Sequence, residues 1–143
     1  MSLPEKLQTI VTDFKSAPKP LRLQMLLEYS KKVPPLPQHL AENSEALERV
    51  HECQTPFFVA TEYPDPNHVV FHFDAPPEAP TTRGFAGILS EGLNGSSPQQ
   101  ILDVPSDFYT QMGLEEVISP LRLRGMSGII GRIKRQVQEH QGN

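Results

Sequence analysis

The sequence predicts an α+β fold, with helices bracketing a small antiparallel sheet. Three observations predict it. Apolar residues recur at helical spacing towards both ends, a short central segment alternates apolar and polar residues around turn chemistry, and the 15 prolines fall between these segments, not in one tract. At 143 residues the chain reads as a single domain, 1–143, large enough to bury roughly two-thirds of its unfolded surface without metal or disulfide.

Leu7, Ile10, Val11 and Phe14 fall at i, i+3, i+4 and i+7, one stripe of a helix opening near Pro4 and closing before Pro18. A second helix over residues 21–32 carries Leu23, Met25, Leu26, Leu27 and Tyr29 on a wide apolar face, and Lys31 and Lys32 suit its C-terminus. Pro34-Pro35-Leu36-Pro37 forbids further helix and reads as a stiff spacer. Residues 38–49 are polar, a connecting loop or a short exposed helix.

Phe57 to Ala60 form an apolar run, Tyr63 to Asn67 carry turn residues, and Val69, Phe71 and Phe73 alternate with polar neighbours, which predicts a hairpin with one buried face. After an extended, proline-rich piece, Thr82 can cap a helix whose Phe85, Ile88, Leu89 and Leu93 make another stripe, ended by Asn94-Gly95. Gly84, Gly87 and Gly92 lie along this helix, where close packing is a simpler account than phosphate binding, since no Gly-Lys-Ser/Thr follows. Ser97-Pro98-Gln99-Gln100 reads as a capping box, and a short helix over 106–112 stops at Gly113. Met126, Ile129, Ile130, Ile133 and Val137 stripe a last helix opposite Arg132, Lys134 and Arg135.

A net charge of −4 disfavours nucleic acid and anionic membranes as partners. No leader pattern and no apolar run near membrane-spanning length is visible, so the cytoplasm, where a thiol stays reduced, is the expected compartment.

The chemistry starts at Cys53, the sole cysteine, in a loop leading into a strand. It is either a small buried hydrophobe or a nucleophilic thiol. No zinc spacing is present, although His51, His68, His72 and Asp74 could supply ligands if the fold gathered them. A hydrolase would need a histidine base brought to the sulfur, and the loop lacks the glycine-rich turn of many nucleophile loops. Arg83 stands at a helix start, where the macrodipole disfavours a cation; it either bonds a carboxylate or solvates a surface, or stands near a thiolate that it would stabilise. Arg122 and Arg124, flanked by Ser119-Pro120 and Gly125, read as loop surface or as a patch for a partner.

The order of these features resembles the SufE family. The match runs through two N-terminal helices, the Pro-Pro-Leu-Pro tether, Cys53-Gln54-Thr55, Arg83-Gly84, Asn94-Gly95 with the capping box, and Ser119-Pro120-Leu121-Arg122 leading to Gly125-Met126. The resemblance implies a three-stranded antiparallel sheet packed by helices, the fold shared with IscU-like scaffolds. It also implies a non-enzymatic sulfur carrier that takes persulfide sulfur from a SufS-type, pyridoxal-phosphate cysteine desulfurase, stimulates it and delivers sulfur to an iron–sulfur scaffold complex. Cys53 matches the acceptor, Gln54, Thr55 and Arg83 match supporting positions, and Glu52 and Arg122 fall where a partner would bind. No metal or resident cofactor is implied; pyridoxal phosphate belongs to the partner. Departures cluster at the cysteine, where Glu52 replaces a common glycine, Pro56 a glutamine and Phe57-Phe58 a Val-Trp pair. Glu52 is expected to stiffen the loop and raise the thiol pKa. The rival readings are an IscU-like scaffold or metal-binding module, which would want several thiolates, and a cysteine hydrolase.

Overall fold

The computed structural model describes residues 3–142. Helix α1 (Glu5–Ser16) buries Leu7, Ile10, Val11 and Phe14, the stripe the spacing predicts, and ends where Ala17, extended ahead of Pro18, cannot continue a helix. Helix α2 (Lys19–Tyr29) continues into a 3₁₀ turn, Ser30–Lys32. Its apolar face is narrower than expected. Leu26 alone is fully buried, while Leu21 and Leu23 are exposed.

The cause lies in helix α4 (Pro80–Gly92), which runs through the middle of the molecule. A Cβ at Gly84 or Gly87 would stand well inside 3.0 Å of the Leu26 or Tyr29 carbonyl oxygen. The two helices therefore meet backbone to side-chain-free backbone, and only a thin line of α2 enters the core. Phe85, Ile88 and Leu89 fill the rest of that core with Phe108, Met112 and Leu114. The first position of α4 is Pro80 after Ala79; Thr82 lies inside the helix and its hydroxyl donates to the Ala79 carbonyl at 3.2 Å, so it is not the cap the sequence suggested. Proline suits a first helical position because its missing N–H would be unpaired there anyway.

Between α2 and the sheet, the proline tether leads to a short helix, α3 (Gln38–Ala41). The sheet has three antiparallel strands in sequence order: β1 (Glu48–Arg49), β2 (Phe58–Asp65) and β3 (His68–Asp74). Val59 pairs with Phe73 and Thr61 with Phe71, and Val59, Val69, Phe71 and Phe73 bury one face. The free side of β3 is tied to the chain after α4, where Phe71 N donates to Asn94 Oδ1, Val69 N to Ser96 O and Gly95 N to Val69 O. Gly95, at φ 87°, makes that turn.

Helix α5 (Pro98–Asp103) opens on the Ser97/Gln100 capping box. The helix expected over 106–112 is a 3₁₀ segment, Phe108–Met112, closed by Gly113 at φ 72° and followed by a second, Leu114–Glu116. Helix α6 (Pro120–Gly142) begins earlier than the apolar stripe implied, so Arg122 and Arg124 lie on its first turns and not in a loop. It crosses the sheet with Met126, Ile129, Ile130, Ile133 and Val137 buried. Gln136 Oε1 accepts from Thr61 on β2 at 2.8 Å, and the His140 ring stacks on Tyr63.

Candidate functional site

Cys53 sits in the loop 51–56 that joins β1 to β2. The loop is pinched at its base, where Val50 N donates to Phe57 O at 2.8 Å, and turned at its middle, where Cys53 N donates to Val50 O at 3.1 Å. Phe57 anchors the far end in the core against Phe73. No non-glycine residue among those described has a positive φ, so Glu52 occupies the position before the cysteine without backbone strain.

The thiol faces α6. Its Sγ lies 3.9 Å from the Gly125 carbonyl oxygen, a weak S–H donation, and a Cβ on Gly125 would come to 3.1 Å of the sulfur. Cys53 is 5% exposed. Burial above all, and the Glu52 carboxylate after it, push its pKa up to about 11. At neutral pH the resting thiolate is then on the order of one part in ten thousand. In this conformation the sulfur is protonated and covered.

The loop forms one wall of a cleft of about 330 Å³. Glu52, Cys53, Gln54 and Thr55 line it from the loop, Leu23 and Leu27 from α2, Thr81 and Thr82 from α4, and Leu121, Arg122 and Gly125 from α6. Leu23 and Leu121 are exposed apolar side chains on its rim. The fold thus brings together Glu52, Cys53, Gln54, Thr55 and Arg122, which lie far apart in sequence except around the loop itself.

Arg83 does not join them, which corrects its expected supporting role at the sulfur. Its Nε donates to the Ser30 carbonyl at 2.8 Å and its Nη1 to the Ala75 carbonyl. A cation is tolerated at this helix start because the Ser30 carbonyl belongs to the end of α2, where partial negative charge collects. Arg83 stitches α2 and the chain after β3 onto α4.

Glu52 has a second engagement. Its Oε1 accepts from Arg132 Nη2 at 3.1 Å, and its side chain lies over Gly128, where a Cβ would come within 2.8–3.0 Å of its Cδ, Cβ and Cγ. Gly128 and Arg132 are the residues of this region that sequence reasoning missed as part of the site. The available signal was their spacing from Gly125, three and seven residues on, which puts all three on one face of a helix.

No histidine lines the cleft, and among the described residues no three His, Cys, Asp or Glu side chains converge as a metal-binding group. His39 and His72 are engaged by Glu62 at 2.7 and 2.9 Å, which holds the Glu62 carboxyl below its usual range, and His68 bonds Asp65. Among the described residues no helix is long and apolar enough to cross a membrane.

The fold is thus a three-stranded antiparallel sheet packed by helices, with a lone, covered thiol on a loop at the edge of a cleft. The chain belongs to the SufE family, the Fe–S metabolism associated domain, which it matches over residues 8–137. It is 52% identical over 138 residues to an uncharacterized SufE-like protein of Mycobacterium tuberculosis, covering 96% of this chain and 95% of that one. It is 28% identical to the cysteine desulfuration protein SufE of Plasmodium falciparum, over 93% of this chain and 54% of that one. Its fold is similar to the solution structure of a hypothetical protein from Thermus thermophilus, with a TM-score of 0.86, 48% identity, and coverage of 99% of this chain and 100% of that one.

Proposed function

We propose that Cys53 accepts persulfide sulfur from a cysteine desulfurase and carries it towards iron–sulfur cluster assembly. The observation that carries the reading is the placement of the lone thiol on a short loop at a cleft whose rim bears Leu23, Leu121 and Arg122. Transfer by thiol exchange needs only an accessible sulfur and a geometry for attack. The Cys53 thiolate attacks the outer sulfur of the partner's persulfide; the partner's S–S bond breaks, its inner sulfur leaves as a thiolate, and the proton given up by Cys53 is matched by the one the partner regains. Pyridoxal phosphate stays with the desulfurase, and this chain supplies only the acceptor.

The covered sulfur gives the reaction an order. Attack requires the loop to turn away from Gly125, which removes the burial that is the main cause holding the proton on. The cleft rim is the surface for the desulfurase, with Arg122 as its exposed cation and Glu52 beside the nucleophile. A lone thiol suits a carrier, since a neighbouring cysteine would form a disulfide and discharge the sulfur. The names of the Plasmodium relatives, cysteine desulfuration proteins, support the same direction of transfer. A cytoplasm-like, reducing compartment suits such a thiol.

The test is intact-mass spectrometry after incubation with a SufS-type desulfurase and L-cysteine. A gain of one sulfur on the native chain, lost in Cys53→Ser, is the expected result. No gain with an active desulfurase sinks the reading.

A further inference from the structure

Along α6, Gly125, Gly128 and Arg132 follow one another up a single face, and each receives one part of the cysteine loop. Gly125 takes the Cys53 sulfur, Gly128 the flat of the Glu52 side chain, and Arg132 the Glu52 carboxylate. The strand before the loop is anchored separately. Glu48 on β1 accepts from Gln136 at 2.7 Å and pairs with Arg135, while Arg132 Nε faces it at 3.3 Å without an aligned hydrogen bond. At the sheet margin Arg132 is thus one of three α6 residues on Glu48, beside Arg135 and Gln136, whereas among the described residues the loop's one ion pair to α6 is Glu52–Arg132.

Resting on the reading of Cys53 as the sulfur acceptor, we propose that Glu52 and Arg132 are positioning residues that latch the loop. Their pairing across Gly128 keeps Cys53 seated on Gly125 until a partner parts them. Both side chains are partly exposed, 32% for Glu52 and 23% for Arg132, so an incoming carboxylate or cation at the cleft can compete for either.

Alkylation of the sole cysteine by neutral iodoacetamide reads this latch without any desulfurase. Charge alone and the latch predict opposite signs for Arg132→Gln. Removing a cation near the sulfur would disfavour the thiolate and slow the reaction; releasing the loop speeds it. We expect Arg132→Gln to be alkylated roughly three- to fivefold faster than the native chain at the same pH, the size of effect a half-exposed ion pair can hold back. Gly128→Ala, which leaves both charges in place but pushes Glu52 off the helix, is expected to do the same. Unfolding midpoints in urea taken alongside separate loop release from loss of the fold, and Gly128→Ala decides the matter if Arg132→Gln folds poorly. Native or slower rates in a folded variant overturn the latch. Failure of the acceptor reading shows up elsewhere, as a native chain that takes no sulfur from a desulfurase whatever its alkylation rates.

Discussion

Helices α4 and α6 each carry two glycines three residues apart on a face that another part of the chain covers. Gly84 and Gly87 on α4 lie under the carbonyl oxygens of Leu26 and Tyr29, so the neighbour is the backbone of α2. Gly125 and Gly128 on α6 lie under the sulfur of Cys53 and the side chain of Glu52, so the neighbour is a six-residue loop held by one ion pair. The same sequence sign therefore marks two different joints. One fuses two helices, because a carbonyl inside a helix cannot retreat without its helix. The other seats a loop that can leave, because side-chain atoms and a loop backbone can shift at modest cost.

The sharpest way to break this contrast is to add a methyl group at each joint. Gly87→Ala forces a Cβ onto the Tyr29 carbonyl, and we expect a loss of about 2–4 kcal/mol by urea unfolding, typical of a buried overpacking the backbone cannot relieve. The gain in helix propensity of about 1 kcal/mol is included in that range and does not offset the clash. A Gly87→Ala protein as stable as the native one would dissolve the distinction.

How firmly the loop is seated shows next in the alkaline behaviour of the thiol. The folded thiol holds its proton up to about pH 11, from an ordinary value of 9.0, because burial and then Glu52 disfavour its charge. The unfolded chain gives up that proton earlier, so the stability from this group is full below the unfolded value and is lost as pH rises towards the folded one. About 3 kcal/mol disappears across that window if the loop stays closed. In Cys53→Ala this part of the alkaline slope should vanish, as followed by urea midpoints over the same range. An unchanged slope would mean the native thiol titrates in an already open loop.

Much of the architecture was legible because it rests on local chemistry. The Leu7–Phe14 stripe, the alternation of Val69, Phe71 and Phe73, and the Ser97/Gln100 box each encode their element within a few residues. Other features depend on distant partners and were not readable. The two-residue strand β1 has no periodicity to display and exists because β2 pairs with it. The narrow buried line of α2 is set by glycines some sixty residues away on α4. At the site, Cys53 and the loop around it stood out, and Glu52 was expected to raise the thiol pKa, which it does as the lesser cause after burial. Arg83 read evenly as a thiolate partner or as a carboxylate-bonded or solvated cation, because a cation at a helix start demands an explanation; its Nε in fact donates to the Ser30 carbonyl that α2 brings to it. Arg132 read only as the polar side of the last helix, since nothing local ties it to Glu52 eighty residues earlier.

The smallest effect is also the most discriminating. Gly125→Ala places a Cβ 3.1 Å from the Cys53 sulfur and 3.7 and 3.8 Å from Cys53 Cα and Glu52 O, so the loop needs to give by only a few tenths of an ångström. The helix gains about 1 kcal/mol of propensity from the same change. These contributions oppose each other, and we expect net stability within about 1 kcal/mol of the native chain together with faster alkylation of Cys53. Stability and thiol access then move separately, which is what a seat for a departing loop requires. A fall in stability as large as that of Gly87→Ala would instead make the cysteine loop as fixed a part of the core as α2, and a sulfur fixed there could not reach a partner's persulfide.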